Sequence, residues 1–396
     1  VKQSTLRLAL ILGAITAFAP MSIDMYLPAF PAMQRHFATD AGQVQLTLSV
    51  FLLGLSLGQL FYGPLADRYG RKKPLYAGIA LYTAASAGIA LSGSIDSLIL
   101  LRFAQALGGC AGMVIARAVV RDLFDEIGSA KMYAQLMLVM GLAPILAPII
   151  GGQLLLIADW HVIFWVLAGF GAACLTGVAL ALPESLPAER RGAGGLGAAL
   201  RNYALLLRSP AFLAYAMTGG FIQAGMFAYI TGSPFVFIEL YQVPAQHYGY
   251  LFGLNAMGLI AASQVNHRLL ARRSGRQVLN VAVPVIAASA LVLAATAATG
   301  FGGLWGIIVP LFVCIAGYGF IAPNATAAAM ASQGRIAGSA SALMGVLQFG
   351  TGALSGTIVG LLNDGTARPM GFTIAALYCC AALLRFFVLP RFAKQN

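Results

Sequence analysis

Apolar residues run along this chain in blocks of about 20 or more, broken by short polar stretches, and the blocks lack the two-residue alternation of a half-buried strand. A bilayer core of roughly 30 Å takes about 20 apolar residues per helical crossing. Backbone groups in lipid must bond within their own segment, so such blocks are helices; barrel strands would be half as long and alternating. The pattern predicts spans at 6–34, 44–66, 74–93, 97–120, 130–157, 161–182, 210–239, 247–268, 277–299, 303–327, 336–362 and 367–389. The first run, from about Leu6 to Met33, is too long for a signal peptide and lacks an A-x-A cleavage site. It reads as a span. The chain opens on Val1, so the initiating residues are expected to lie outside it.

Composition agrees. Of 396 residues, 60% are hydrophobic and only 9% charged, and the mean hydropathy is +0.84. A soluble domain is about half apolar and a quarter charged, so lipid must be the solvent here.

The formal charge of +12 lies in short clusters between apolar runs, the pattern of topology signals and not of a phosphate-binding face, which excludes a nucleic-acid partner. One set of loops holds Arg35 and Arg368 against Asp40, Asp96, Asp159, Glu239 and Asp364, while nearly all other Lys and Arg fall on the opposite side. That asymmetry predicts both termini in the cytoplasm. All five cysteines sit inside apolar runs, without the spaced exposed pairs of a disulfide framework or a CxxC metal site. The four histidines fall near loop ends and read as solvated, and no nucleotide loop or metal cluster suggests an enzyme or a cofactor.

The longest polar stretch, about Pro183 to Ser209, contains Gly192, Gly194, Gly195 and Gly197 and ends in LRNYALLLR, a candidate short amphipathic helix. It divides the chain into two six-span units, 1–183 and 210–396, joined by a cytoplasmic linker, 184–209. The units are related: Gly70 and Arg71 after the second span match Gly275 and Arg276 after the eighth. Small residues four apart recur as Ala143, Ala147, Gly151 and as Gly352, Gly356, Gly360. Two pseudo-symmetric halves form the architecture of transporters that rock about a central site.

The segment G63-P-L-A-D-R-Y-G-R-K-K73 resembles the loop 2–3 signature of the major facilitator superfamily. Its physical reading is that Gly63 permits close helix approach and Gly70 makes a tight turn. Asp67, Arg71 and Asp122 form a breakable charge latch, while Arg68 and the lysines set topology. L101-R-F-A-Q-A in the fourth span is similar to the superfamily's R-x-x-Q-G pattern, with Ala106 in place of glycine. A143-P-I-L-A-P-I-I-G-G152 is similar to its antiporter motif; Pro148, Gly151 and Gly152 match, and alanines replace both leading glycines. The segments S22-I-D-M-Y-L-P-A-F-P31, A116-R-A-V-V-R-D-L-F124, G232-S-P-F-V236 and A322-P-N-A-T326 resemble the bicyclomycin-resistance (Bcr/CflA-type) branch of drug:H⁺ antiporters. The resemblance implies an all-α membrane fold of twelve spans and a proton-driven exporter of drug-like molecules, monomeric in the bacterial inner membrane. It implies protons and a small molecule as partners, the proton gradient as energy source, and no cofactor.

Asp24 is the one acid well inside a span, and counting the helical rise sets it at a depth similar to Arg102. Burial and a nearby guanidinium oppose each other at a carboxyl, so the pair is the candidate proton-coupling centre. The competing reading is a fixed ion pair that holds two helices in register. Met21, Tyr26, Gln223, Phe235, Asn255, Tyr318, Phe320, Asn324 and Gln348 are the candidate substrate-binding residues, with Asn255 and Gln348 favoured because amides are costly inside a span. Proton-coupled or facilitative transport of a metabolite such as a sugar or amino-acid derivative is the alternative function.

Overall fold

A computed structural model describes residues 2–192 and 196–389; the linker residues Gly194 and Gly195 lie outside the described part. Every regular element within it is helical.

The first span is a chain of short pieces and not the single rod that its apolar run predicts. It comprises α1 (Lys2–Thr16), α2 (Phe18–Asp24), a 3₁₀ turn (Leu27–Ala29) and α3 (Phe30–Phe37). The segments either side of Ala17 are bent by 41°. Proline chemistry accounts for the breaks. Pro20, Pro28 and Pro31 carry no N–H, so the carbonyls of Thr16, Asp24 and Leu27 lack their i+4 donors. α1 ends at Thr16 and α2 at Asp24. The only acid deep in the apolar pattern thus sits at a helix end.

The following helices are longer. They are α4 (Ala41–Tyr69), α5 (Lys72–Ala90), α6 (Ile95–Leu123), α7 (Glu126–Leu154) and α8 (His161–Ala181), then the linker helix α9 (Leu196–Leu207). The second set is α10 (Pro210–Pro234), α11 (Ala245–Leu269), α12 (Gly275–Thr299), α13 (Gly303–Met330), α14 (Ala337–Leu361) and α15 (Arg368–Leu383). π turns extend α10 through Leu240 and α15 through Val388. Side chains of Asp40, Ser94, Asp125, Ser209 and Ser274 cap the starts of α4, α6, α7, α10 and α12.

Among the described residues, nine helices are long and apolar enough to cross a membrane, and the bent first span makes a tenth. α5 and α11 have the length, 19 and 25 residues, but carry more polar groups, Lys72 and Lys73 in one and Gln246, Asn255 and Asn266 in the other. They are sheltered by neighbours, α5 by α6 and α8, α11 by α7 and α13. With them the chain has twelve spans.

The most extensive pairings between the first six spans and the last six are α4 with α14 and α7 with α11. At the end away from the Gly70 loop these pairs meet almost backbone to backbone. A Cβ on Gly42 would strike the Gly360 carbonyl, and one on Gly249 would lie 2.7 Å from the Ile149 nitrogen. Small residues permit that approach. At the Gly70 end, the basic end of the molecule, α9 buries Tyr203 and Leu206 against Phe212, Ala329, Leu343 and Met344, as an amphipathic helix should.

Candidate functional site

A cavity of about 280 Å³ lies between the two sets of spans. Asp24 and Ile23 from α2, Met113 from α6, and Met140 and Pro144 from α7 form one wall. Gln223, Phe227 and Tyr229 from α10, Asn255 from α11, Tyr318 from α13 and Phe349 from α14 form the other. Its lining is mostly apolar with a few polar groups, as small-molecule sites are.

Asp24 is 3% exposed, its Oδ1 is buried without a hydrogen-bond partner, and no basic side chain lies within ion-pair distance of it among the described residues. Arg102, fully buried, points elsewhere. Its Nη1 donates to Gln105 Oε1 at 2.6 Å and its Nη2 to the Ser22 carbonyl at 3.0 Å. The guanidinium lies 4.2 Å from the Tyr26 ring centroid and 4.1 Å from that of Phe51. The fixed Asp24–Arg102 ion pair is therefore corrected: Arg102 reaches across from α6 and holds the backbone of the first span at Ser22, two residues before Asp24. Cation–π contacts and two charge-assisted hydrogen bonds replace a carboxylate as the means of keeping this charge buried.

Gln105, the glutamine of the R-x-x-Q segment, has no role of its own in the sequence pattern, yet it is central to this wall. Its Nε2 donates to Ser86 Oγ at 2.7 Å, and Ser86 Oγ bonds the Tyr82 carbonyl. Tyr82 OH and Ser22 Oγ are 2.8 Å apart, closing a loop of polar contacts around the broken first span. The three-residue spacing of Arg102 and Gln105 on one helix face was the available signal.

Of the predicted substrate residues, Gln223, Asn255 and Tyr318 line the cavity. Tyr318 OH donates to Gln223 Oε1 at 2.8 Å, and Asn255 Nδ2 donates to Tyr229 OH at 3.0 Å. Asn255 Oδ1 is buried with no partner. Met21, Tyr26, Phe235, Phe320, Asn324 and Gln348 are not among its lining residues. Tyr26 is turned to Arg102 and bonds Thr47. Phe235 lies in the π turn that ends the seventh span. Asn324 ties α13 to Asn266 of α11 at 2.8 Å, near the basic end. Gln348 is turned to the side of Gly219, where an added Cβ would lie 4.0 Å from its Nε2, and its neighbour Phe349 takes the cavity position.

The charge cluster at the basic end is wider than the predicted latch. Arg71 bonds Asp67 through Nη1 at 2.5 Å and Asp122 through Nε at 2.7 Å. Glu184, just after the sixth span, accepts from the backbone N–H groups of Arg71 at 2.9 Å and Lys72 at 3.2 Å. Ser185 Oγ donates to Asp122 at 3.0 Å. Burial works to raise the Glu184 pKa, but these N–H donors, that of Leu186 and the Arg191 charge hold it below the ordinary range. Gly70 has φ +86°, the turn conformation expected of it. Its counterpart Gly275 instead begins α12, and Arg276 offers its carbonyl to buried Arg385, so the repeat in sequence is not one in conformation. Arg68 lies over the Tyr69 ring. Gly63 corrects the close-approach reading: a Cβ there would meet nothing within 4 Å.

In the antiporter-like segment, Pro148, Gly151 and Gly152 are buried. Gly151 packs on the Met25 carbonyl, next to Asp24, and Gly152 packs on Ala245 of α11. Among the described residues no three His, Cys, Asp or Glu side chains converge as a metal site would.

Membrane-spanning helices in two sets of six around a shared cavity are the arrangement of a membrane transporter. Residues 12–357 match the family model described as Major Facilitator Superfamily, and the chain belongs to that superfamily. It is 37% identical over 393 residues to a Bacillus subtilis protein described as an uncharacterized MFS-type transporter, covering 98% of this chain and 96% of the relative. A Haemophilus influenzae protein described as a bicyclomycin resistance protein homolog is 32% identical over 395 residues, covering 100% and 99%. The Escherichia coli multidrug transporter MdfA is 28% identical over 333 residues, covering 82% and 79%. A solved D-xylose–proton symporter superposes with TM-score 0.76 at 13% identity, over 98% of this chain and 97% of the other, which shows the shared fold.

Proposed function

We propose that this chain is a proton-coupled antiporter that exports small drug-like molecules across the bacterial inner membrane by alternating access, acting as a monomer and without a cofactor. The observation that carries the reading is Asp24: a buried carboxyl at a helix break, facing the shared cavity, with one oxygen unpartnered. Such a group is costly in a span and is characteristic of proton relays. Relatives described as a bicyclomycin resistance protein homolog and as a multidrug transporter support the substrate class.

In this scheme the basic end faces the cytoplasm, as the charge asymmetry requires. The halves 1–183 and 210–396 rock about the cavity, and residues 184–209 link them. With the cavity open to the outside, Asp24 takes a proton and substrate leaves. With it open to the cytoplasm, Asp24 gives up the proton and substrate binds again. Arg102 fixes the segment around Ser22 so that the carboxyl meets cavity and substrate, not a counter-charge.

The test is compound-induced proton release from purified protein across a small drug panel, paired with efflux in reconstituted vesicles. Wild type releases protons on binding; Asp24→Asn does not, and loses gradient-driven efflux. Full gradient-driven efflux by Asp24→Asn would sink the proposal.

A further inference from the structure

A second cavity, of about 500 Å³, opens at the basic end between α4, α6, α7, the linker helix α9 and the start of α14. Its walls are Pro64, Val114, Ile115, Ala199, Ile336 and similar apolar groups, with Asn202, Ser339 and Ser341 among them. Four charged side chains line it: Asp67, Arg71, Arg117 and Arg121. Their pairing is unequal. Arg71 is bonded to Asp67 and Asp122, and the Glu184 carboxylate is taken up by backbone N–H groups. Among the described residues neither Arg117 nor Arg121 has a carboxylate within ion-pair distance, nor a side-chain hydrogen bond to any acceptor. The acids nearest to hand are spent on one arginine, and two guanidiniums on successive turns of α6 line the same concave surface.

A topology signal explains why basic residues fall at this end. It does not explain why two of them line a concave site while their acidic neighbours are committed to a third. Guanidinium groups four residues apart on a helix repel each other, and an anion between them removes that cost. A planar guanidinium suits an oxyanion, to which it offers two parallel N–H donors.

We propose that this crevice is a binding site for an amphipathic oxyanion: a phosphate or similar anionic headgroup held by Arg117 and Arg121, with its apolar part against α4, α9 and the start of α14. The site is separate from the Asp24 cavity and does not rest on the proton-coupled reading. Two sources share the chemistry, a soluble anionic amphiphile reaching the crevice from the aqueous side and the headgroup of an acidic phospholipid.

The experiment measures binding of octyl phosphate, inorganic phosphate and phosphatidylglycerol to the purified full chain, by calorimetry for the first two and native mass spectrometry for the lipid. Three proteins are compared: wild type, R117Q/R121Q, and R272Q/R273Q, which removes the same charge from an exposed loop at the same end. The crevice predicts that R117Q/R121Q weakens octyl phosphate or lipid binding at least about tenfold, since charge-assisted bonds are lost. R272Q/R273Q leaves it within about twofold, as expected of exposed charges. Loss confined to octyl phosphate assigns the soluble source; loss confined to phosphatidylglycerol assigns the lipid. Inorganic phosphate binds more weakly than octyl phosphate, because the apolar walls contribute. Equal binding by wild type and R117Q/R121Q, or equal losses in both double variants, overturns the proposal. Thermal melts of each variant separate loss of the site from loss of the fold.

Discussion

Arg102 reaches the first span at the Ser22 carbonyl, 3.0 Å away, two residues before Asp24, and makes no ion pair with the carboxylate. An arginine at this depth serves as a brace for a broken helix. The break exists because prolines leave the carbonyls of Thr16, Asp24 and Leu27 without donors, and the cation pins the backbone at Ser22, between the first two of them.

Replacing that brace tests it. Arg102→Lys keeps the charge but not the fork that bonds Gln105 and Ser22 together. Each charge-assisted bond lost costs about 1.5–3 kcal/mol. Arg102→Lys should therefore lower the melting temperature in detergent clearly, and Arg102→Ala further. Asp24→Asn, whose Oδ1 has no partner to lose, should leave it within a degree or two. If Arg102 were instead a counter-ion for Asp24, removing the acid would rescue Arg102→Ala, and melting the double variant checks this.

The spans were legible from block length alone, and the breaks in the first were foreshadowed by Pro20, Pro28 and Pro31, since a missing N–H is a local property. The similar depth of Asp24 and Arg102 followed from the rise per residue. Whether they pair did not, because it depends on Gln105, Ser22 and the rings of Tyr26 and Phe51, brought in from other turns and spans. The same holds for the cavity. Tyr318 and Gln223 bond across 95 residues, and nothing local says which of two adjacent residues, Gln348 or Phe349, faces inward.

Glycine substitutions separate motif from packing. Gly249→Ala puts a methyl against the backbone of Ile149, where the seventh and eleventh helices meet. Overpacking of this kind costs about 1–3 kcal/mol, and because it acts on only one closed state it should shift the transporter toward opening at that end. Thiol accessibility of single cysteines placed at Gln246 and Gln153 should rise, with transport reduced. Gly63→Ala, with nothing within 4 Å, should change neither accessibility nor transport, although it alters a signature position.

Glu184 gives a pH signature. Its folded-state pKa is depressed from 4.5, so its contribution to stability is full above that value and is lost as pH falls through the lower folded value. Glu184→Gln should melt below wild type at neutral pH, and the gap should close as the pH drops below about 4. A gap that stays constant down to strongly acidic pH would mean that the carboxylate charge does not anchor the Arg71 loop.

Asn255 Oδ1 and Asp24 Oδ1 are buried acceptors facing one cavity with no donor of the protein on either. A molecule that enters gains by bringing N–H or O–H groups, and leaving such acceptors unmet costs about 1–3 kcal/mol each. Asn255→Leu removes one acceptor and leaves Tyr229 OH without its amide partner. It should weaken export of compounds rich in N–H and O–H donors by roughly five- to a hundredfold, and spare or improve export of compounds with none. The measurement is the minimal inhibitory concentration across a graded set of such compounds, in cells making equal amounts of each protein. Equal losses for both classes would mean that Asn255 acts only through the fold, and that donor matching at this cavity does not select the substrate.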